Sequence, residues 1–285
     1  ADNNSGGTER IDVLQGKITA SGAGNIVVIG DDAVTVRKGG TIIVNGSTVT
    51  GITDLLIRDD AAESVVRILN GGEIAAQTVT NDGTLNAYGT LTGDVVSTDT
   101  ARISGTLNGT YTQNRRRSAT TEFVAPTTVS GLIDINAGSV TINDTLTAGG
   151  NIDIAAPATY DQNAAVTGNV TTASGAATIA GDINGTLTQT AGQTTIDGNS
   201  TVSGATSVAG GTMTVASGQT LTAAGGVTND GTLDVDGTVT GNVTNTGAAR
   251  NVTIFTNLSA RSHSGPSVDH GSLINIGANI NKRGH

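Results

Sequence analysis

The chain predicts an all-β fold, a parallel β-solenoid (β-helix) with a unit of about 19 residues per coil, and three observations carry that expectation. The first is internal repetition. NDGTLNAYGTLTGDV at 81–95 and NDGTLDVDGTVTGNV at 229–243 agree at 10 of 15 positions. The second is a common divisor. Gly138, Gly175, Gly192, Gly211 and Gly231 each open a Gly-x-x-(Thr/Asp)-aliphatic run, the last four in steps of 17, 19 and 20. A further pair, GTLNGTYTQ at 105 and GDINGTLTQ at 181, is separated by four such units, and the NDGTL pair by eight. A fixed period near this length is the signature of stacked supersecondary units. The third is local chemistry. Short β-branched alternations such as 48–50 and 186–190 are cut every few positions by Gly, Asn or Asp, which leaves no room for ordinary amphipathic helices. Asn-Gly at 45, 70, 108 and 184 predicts turns with positive φ; the same dipeptides also mark antiparallel hairpins, and the period favours the solenoid.

Taken in order, residues 1–10 read as a flexible polar lead. Ala1 suits either the new terminus left by removal of a secretory leader or a trimmed chain. Residues 11–70 form a more aliphatic capping region. Its segment from Asp54, DLLIRDDAAESVVRILNGG, reads either as a capping helix or as two strands around a DDAAE turn, and the runs 55–57 and 65–69 favour strands. Regular Thr/Asn/Gly-rich coils occupy 71–247, with an excursion at 114–121 that holds Arg115, Arg116 and Arg117. Residues 248–285 form a distinct cap or assembly tail containing NVTIF, a polar loop and LINIGANI. Fifteen coils at the ~4.8 Å strand spacing would make a rod of about 70 Å.

Composition narrows the function. A net charge of −10 with 13% charged residues lacks the basic face that nucleic acid or anionic lipid requires, and no apolar run is long enough for a helical membrane span. The absence of Cys removes disulfides and thiolate chemistry, and suits an exported protein. Arg115, Arg116 and Arg117 are the candidate partner-binding loop, against the alternative of a solvated turn. His263, Ser264, Asp269 and His270 match no metal-ligand or triad spacing. Asp31-Asp32 and Asp59-Asp60 raise the acid pairs of a polysaccharide-cleaving β-helix, but three Tyr and two Phe leave little to stack sugars. No tandem GGxGxD calcium repeat occurs, and the Thr positions drift too much for an ice-ordering face. No catalytic, cofactor or metal residue is expected, and the chain is read as non-enzymatic.

The GTLTV-, NDGTL- and VTGNV-type repeats over roughly 70–245 resemble the passenger β-solenoids of bacterial autotransporter adhesins. That resemblance implies a secreted or cell-surface location and a role in adhesion, aggregation or matrix. The family's translocator barrel does not follow here, which implies a cleaved passenger, a fragment or another export route. TLTGDVVS at Thr90 and ISGTLNGTY at Ile103 are similar to bactofilins, short solenoids that polymerise through their ends. The expected function is a structural surface protein that self-associates head to tail into a filament. The alternatives are a monomeric adhesin shaft binding a host or cell-surface ligand and, further off, a phage tailspike or polysaccharide lyase.

Overall fold

A computed structural model describes residues 10–14, 16–60, 62–114, 119–246 and 252–254, the last three and Arg10 by backbone alone. It is an all-β parallel solenoid of about 12 turns, with equivalent positions ~19 residues apart. Every coil contributes three strands, and each stacks in parallel register on its equivalent in the coils before and after it.

Face A begins with Arg10–Leu14 and residues 33–37, and continues through Tyr111–Gln113, Ile133–Ile135, Ile152–Ile154, Val170–Thr172 and Leu187–Gln189 to Val243–Asn245. Face B runs from Lys17–Ser21 through Thr41–Asn45 to Val252–Ile254. Face C starts at residues 26–28, the first part of the strand Ile26–Arg37, and ends at Thr238–Thr240. In the long early strands the chain passes from face C to face A without a break in strand structure, through register shifts. The two-strand reading of the segment from Asp54 holds: Thr48–Arg58 and Val65–Ile68 flank the acidic turn.

Alternation explains the core. Along Ile133–Ile135 the two Ile are buried and Asp134 is not, and the same in-out-in pattern recurs in Ile152–Ile154 and Leu187–Gln189. Aliphatic side chains therefore stack on aliphatic side chains, Ile133 on Ile152 on Val170 on Leu187, one coil per step. The sequence repeats now have a structural count. Asn81 and Asn229 occupy one position of face A eight rungs apart, through Ser97, Gln113, Ile135, Ile154, Thr172, Gln189 and Val208. Gln113 and Gln189 are four rungs apart in the same column.

Corners use glycine in two ways. Gly46 and Gly71, both after Asn, have φ of 68° and 78°, the turn conformation expected of Asn-Gly. Gly109 and Gly185 do not serve that purpose: a Cβ on Gly185 would sit 2.1 Å from the carbonyl oxygen of Gly168 in the coil below. Here the requirement is close approach of two backbones. Asx side chains near the corners add ties between coils. The side-chain oxygens of Asp94, Asn169, Asp182 and Asn199 accept the backbone N–H of Thr110, Thr186, Thr201 and Thr220 at 2.9, 3.0, 2.7 and 2.9 Å. Charged pairs also bridge successive rungs, Arg37 to Asp12 at 2.9 Å and Arg102 to Glu122 at 3.0 Å.

The rod is shorter than fifteen coils would give. Early steps are long, from Val34 to Leu55 to Val79, and about 12 turns at ~4.8 Å make roughly 60 Å. Across 114–121 the step from Tyr111 to Ile133 is also longer than those from Ile133 to Ile152 and from Ile152 to Val170. The described residues on either side, Tyr111–Gln113 on face A and residues 120–123 on face B, belong to one and the same coil.

Candidate functional site

Arg115, Arg116 and Arg117 lie outside the described residues, between Asn114 and the buried Ala119. His263, Ser264, Asp269 and His270 also lie outside them. The two acidic pairs are not brought together. Asp31-Asp32 sit where face C turns into face A, whereas Asp59-Asp60 follow Arg58 where face A turns into face B. Asp60 holds that turn: its carboxylate accepts the backbone N–H of Lys38 at 2.8 Å, and Lys38 has φ of 54°. Among the described residues no three His, Asp or Glu side chains gather as a metal site, and no helix is long and apolar enough to cross a membrane.

Three of the four described aromatic residues serve the interior. Tyr111, Phe123 and Tyr160 are fully buried, Tyr111 and Phe123 meeting edge to face with centroids 6.0 Å apart. The Tyr111 hydroxyl donates to Gln113 Oε1 at 2.9 Å and also contacts the Thr121 hydroxyl, which donates to the same oxygen at 2.7 Å. Burial pushes the Tyr111 hydroxyl up to about 12, against the opposing effect of its hydrogen bonds. A polar column inside the coil was not evident from composition. Asn81, Ser97 and Gln113 stack in register, as do Thr172 and Gln189, and Asn229 and Asn245, all buried. Asn81 Nδ2 donates to Ser97 Oγ at 3.0 Å and to the Thr100 carbonyl at 2.9 Å, and its Oδ1 accepts the Gly83 N–H at 3.2 Å. The signal was the amide that precedes the corner in both NDGT repeats and in both Thr-Gln strand ends.

On the outer surface, Asp134 and Asp153 stack directly in register on face A. Partial burial raises the Asp153 carboxyl above its ordinary value; a Thr171 hydrogen bond opposes this, and the neighbouring Asp134 charge adds to it. With the folded-state value raised, the folded form holds its proton more tightly, so stability falls as pH rises from 3.8 through the folded value. Asp153→Asn removes that loss. Its melting temperature is expected to exceed that of the parent near neutral pH, with the gain vanishing below about pH 3.8, as thermal melts at several pH values will check.

The surface that departs from the shaft's pattern is the first coil. Among the described residues, 10–14, 17–21 and 26–28 each pair only with the coil above, at 33–37, 41–45 and 48–50. Five of the seven exposed large hydrophobics among the described residues cluster here: Leu14, Ile18, Ile26, Val27 and Val28. Ile18 stands in register with Ile42 and Val27 with Val49, so both face the interior of the coil and form its uncovered floor. Free strand edges over an apolar floor make a template for a further strand or coil. Within 11–70, every exposed large hydrophobic among the described residues falls in this first coil. No family model, curated protein or solved structure matches this chain.

Proposed function

We propose that this chain is a structural, non-enzymatic protein of the bacterial surface or extracellular matrix, a solenoid shaft that assembles head to tail into a filament. The observation that carries the reading is the open first coil, with three strand edges around Ile18 and Val27 that are unpaired among the described residues. The opposite end carries strand edges of the same direction at Thr238–Thr240 and Val243–Asn245. Joining unlike ends is a heterologous contact that does not close, so it propagates. A sparsely charged, Cys-free composition rich in Thr, Asn and Gly, and the likeness of the repeats to exported passenger solenoids, support the extracellular placement.

Sedimentation velocity over a dilution series tests the reading. The parent chain is expected to sediment as large species that persist on dilution. Val27→Asp, which places a charge on the floor of the first coil, is expected to shift them to the 28.1 kDa monomer while leaving the circular dichroism unchanged. A parent chain that is monomeric at every concentration contradicts it, and would leave a single adhesin-like shaft.

A further inference from the structure

The apolar side chains of the first coil point in two directions, and stacking another coil beneath them closes only one. Val27 and Ile18 continue inward columns, so a rung from a second copy buries them. Ile26 and Val28 point outward. They stand in register with Thr48 and Thr50, and the Ile26 column continues up face C through Glu73, Thr90 and Thr106. Where higher coils present hydroxyls and a carboxylate, the first presents two β-branched hydrocarbons, 68% and 70% exposed. An in-line stack would leave their outer sides in water, so the flank itself calls for a cover.

We propose that residues 273–280 of one copy lie across the flank formed by Ile26 and Val28 of the next, as a clasp over the joint. This rests on the head-to-tail reading above. From Ile274 the segment alternates Ile274, Ile276, Ala278 and Ile280 with Asn275, Gly277 and Asn279, so an extended chain there would have one apolar side for the flank and one polar side for water, with Leu273 alone joining the second side. Residues 1–9 contain no apolar side chain larger than Ala and cannot supply the cover. Charge agrees with the placement. Lys282 and Arg283 follow the segment, while Asp31 and Asp32 follow Val28, so a parallel arrangement brings opposite charges together.

Reach selects a second copy over the chain's own first coil. Residues 255–272 separate the last described strand from the segment. Fully straightened they span about 60–65 Å. The chain's own first coil lies roughly 60 Å away, down about 12 turns, and only a taut chain would arrive. The first coil of a copy seated on the C-terminal end lies within about 10 Å, one or two strand spacings.

The chain has no cysteine, which makes site-specific cross-linking clean. Full-length Val28→Cys and Ile276→Cys chains, mixed and oxidised, are expected to give a disulfide between the two different chains, located by peptide mass mapping. Ile26→Thr/Val28→Thr, which restores the pattern of the coils above, is expected to weaken assembly about tenfold without lowering the melting temperature. Filaments without that disulfide, and with unchanged assembly of the double Thr variant, overturn the clasp and leave the filament standing. Monomeric rods without the disulfide overturn both. A disulfide within one chain of the Val28→Cys/Ile276→Cys double variant at high dilution overturns the second copy as the source, and a Val28→Cys homodimer overturns the head-to-tail joint.

Discussion

Gly185→Ala is expected to destabilise the shaft by about 3 kcal/mol, the upper range for overpacking, because the added carbon has nowhere to go. It would stand 2.1 Å from the Gly168 carbonyl oxygen and 2.6 Å from its carbon. Neither backbone is free to retreat. The Gly185 carbonyl accepts the N–H of Gly204 in the next coil at 2.8 Å, and a Cβ on Gly204 would in turn meet that same carbonyl at 2.7 Å. Gly93, Gly109 and Gly131 form the equivalent column lower in the shaft. Gly218→Ala is the comparison: φ is 79° but nothing lies within 4 Å, so the cost is backbone strain alone, about 1 kcal/mol. Thermal denaturation of the two variants checks the contrast, with Gly185→Ala melting roughly 6–12 °C below the parent. Equal losses would contradict close stacking as the role of this glycine.

Tyr111→Ala is expected to cost about 3–5 kcal/mol, the range for emptying a large aromatic site in a core that cannot collapse. The ring fills the interior of its coil from face A, and it packs against Phe123 on face B of the same coil. Tyr111→Phe separates the two contributions: it keeps the ring, loses the hydrogen bond to Gln113 and should cost about 1 kcal/mol. The pH dependence has a definite sign. The folded form holds the phenolic proton up to about 12 against an ordinary 10.0, so the parent loses stability as pH rises through that window. Tyr111→Phe should lose less there, as chemical denaturation at about pH 9 and about pH 11 will show.

The period was legible because a solenoid writes its geometry into the chain. The glycines at 138, 175, 192, 211 and 231 are one corner seen on different coils, and a Cβ on Gly192 or Gly211 would strike the carbonyl oxygen of the glycine one coil earlier, Gly175 or Gly192. Less legible was which property of glycine each corner uses: Asn-Gly at 45 and 70 needs positive φ, whereas at 108 and 184 it needs the missing side chain. The buried amide column was hidden for a related reason. Asn81 and Asn229 look like turn residues in sequence, yet both side chains are buried at the end of a face A strand. The aromatics misled in the opposite direction, being too few to suggest a sugar-binding groove while Tyr111 and Phe123 fill one coil and Tyr160 the core two coils on. The candidate joint needed the register. Ile26 and Val28 read as ordinary strand residues until they are placed beneath Thr48 and Thr50 on an outward column.

Electron microscopy of the purified parent chain, with negative staining across a dilution series, tests head-to-tail assembly most directly. The account predicts long fibres one solenoid wide that persist on dilution, with a molecular repeat of roughly 60 Å along the axis, about 12 turns at the ~4.8 Å strand spacing. Discrete rods of that length at every concentration would contradict it.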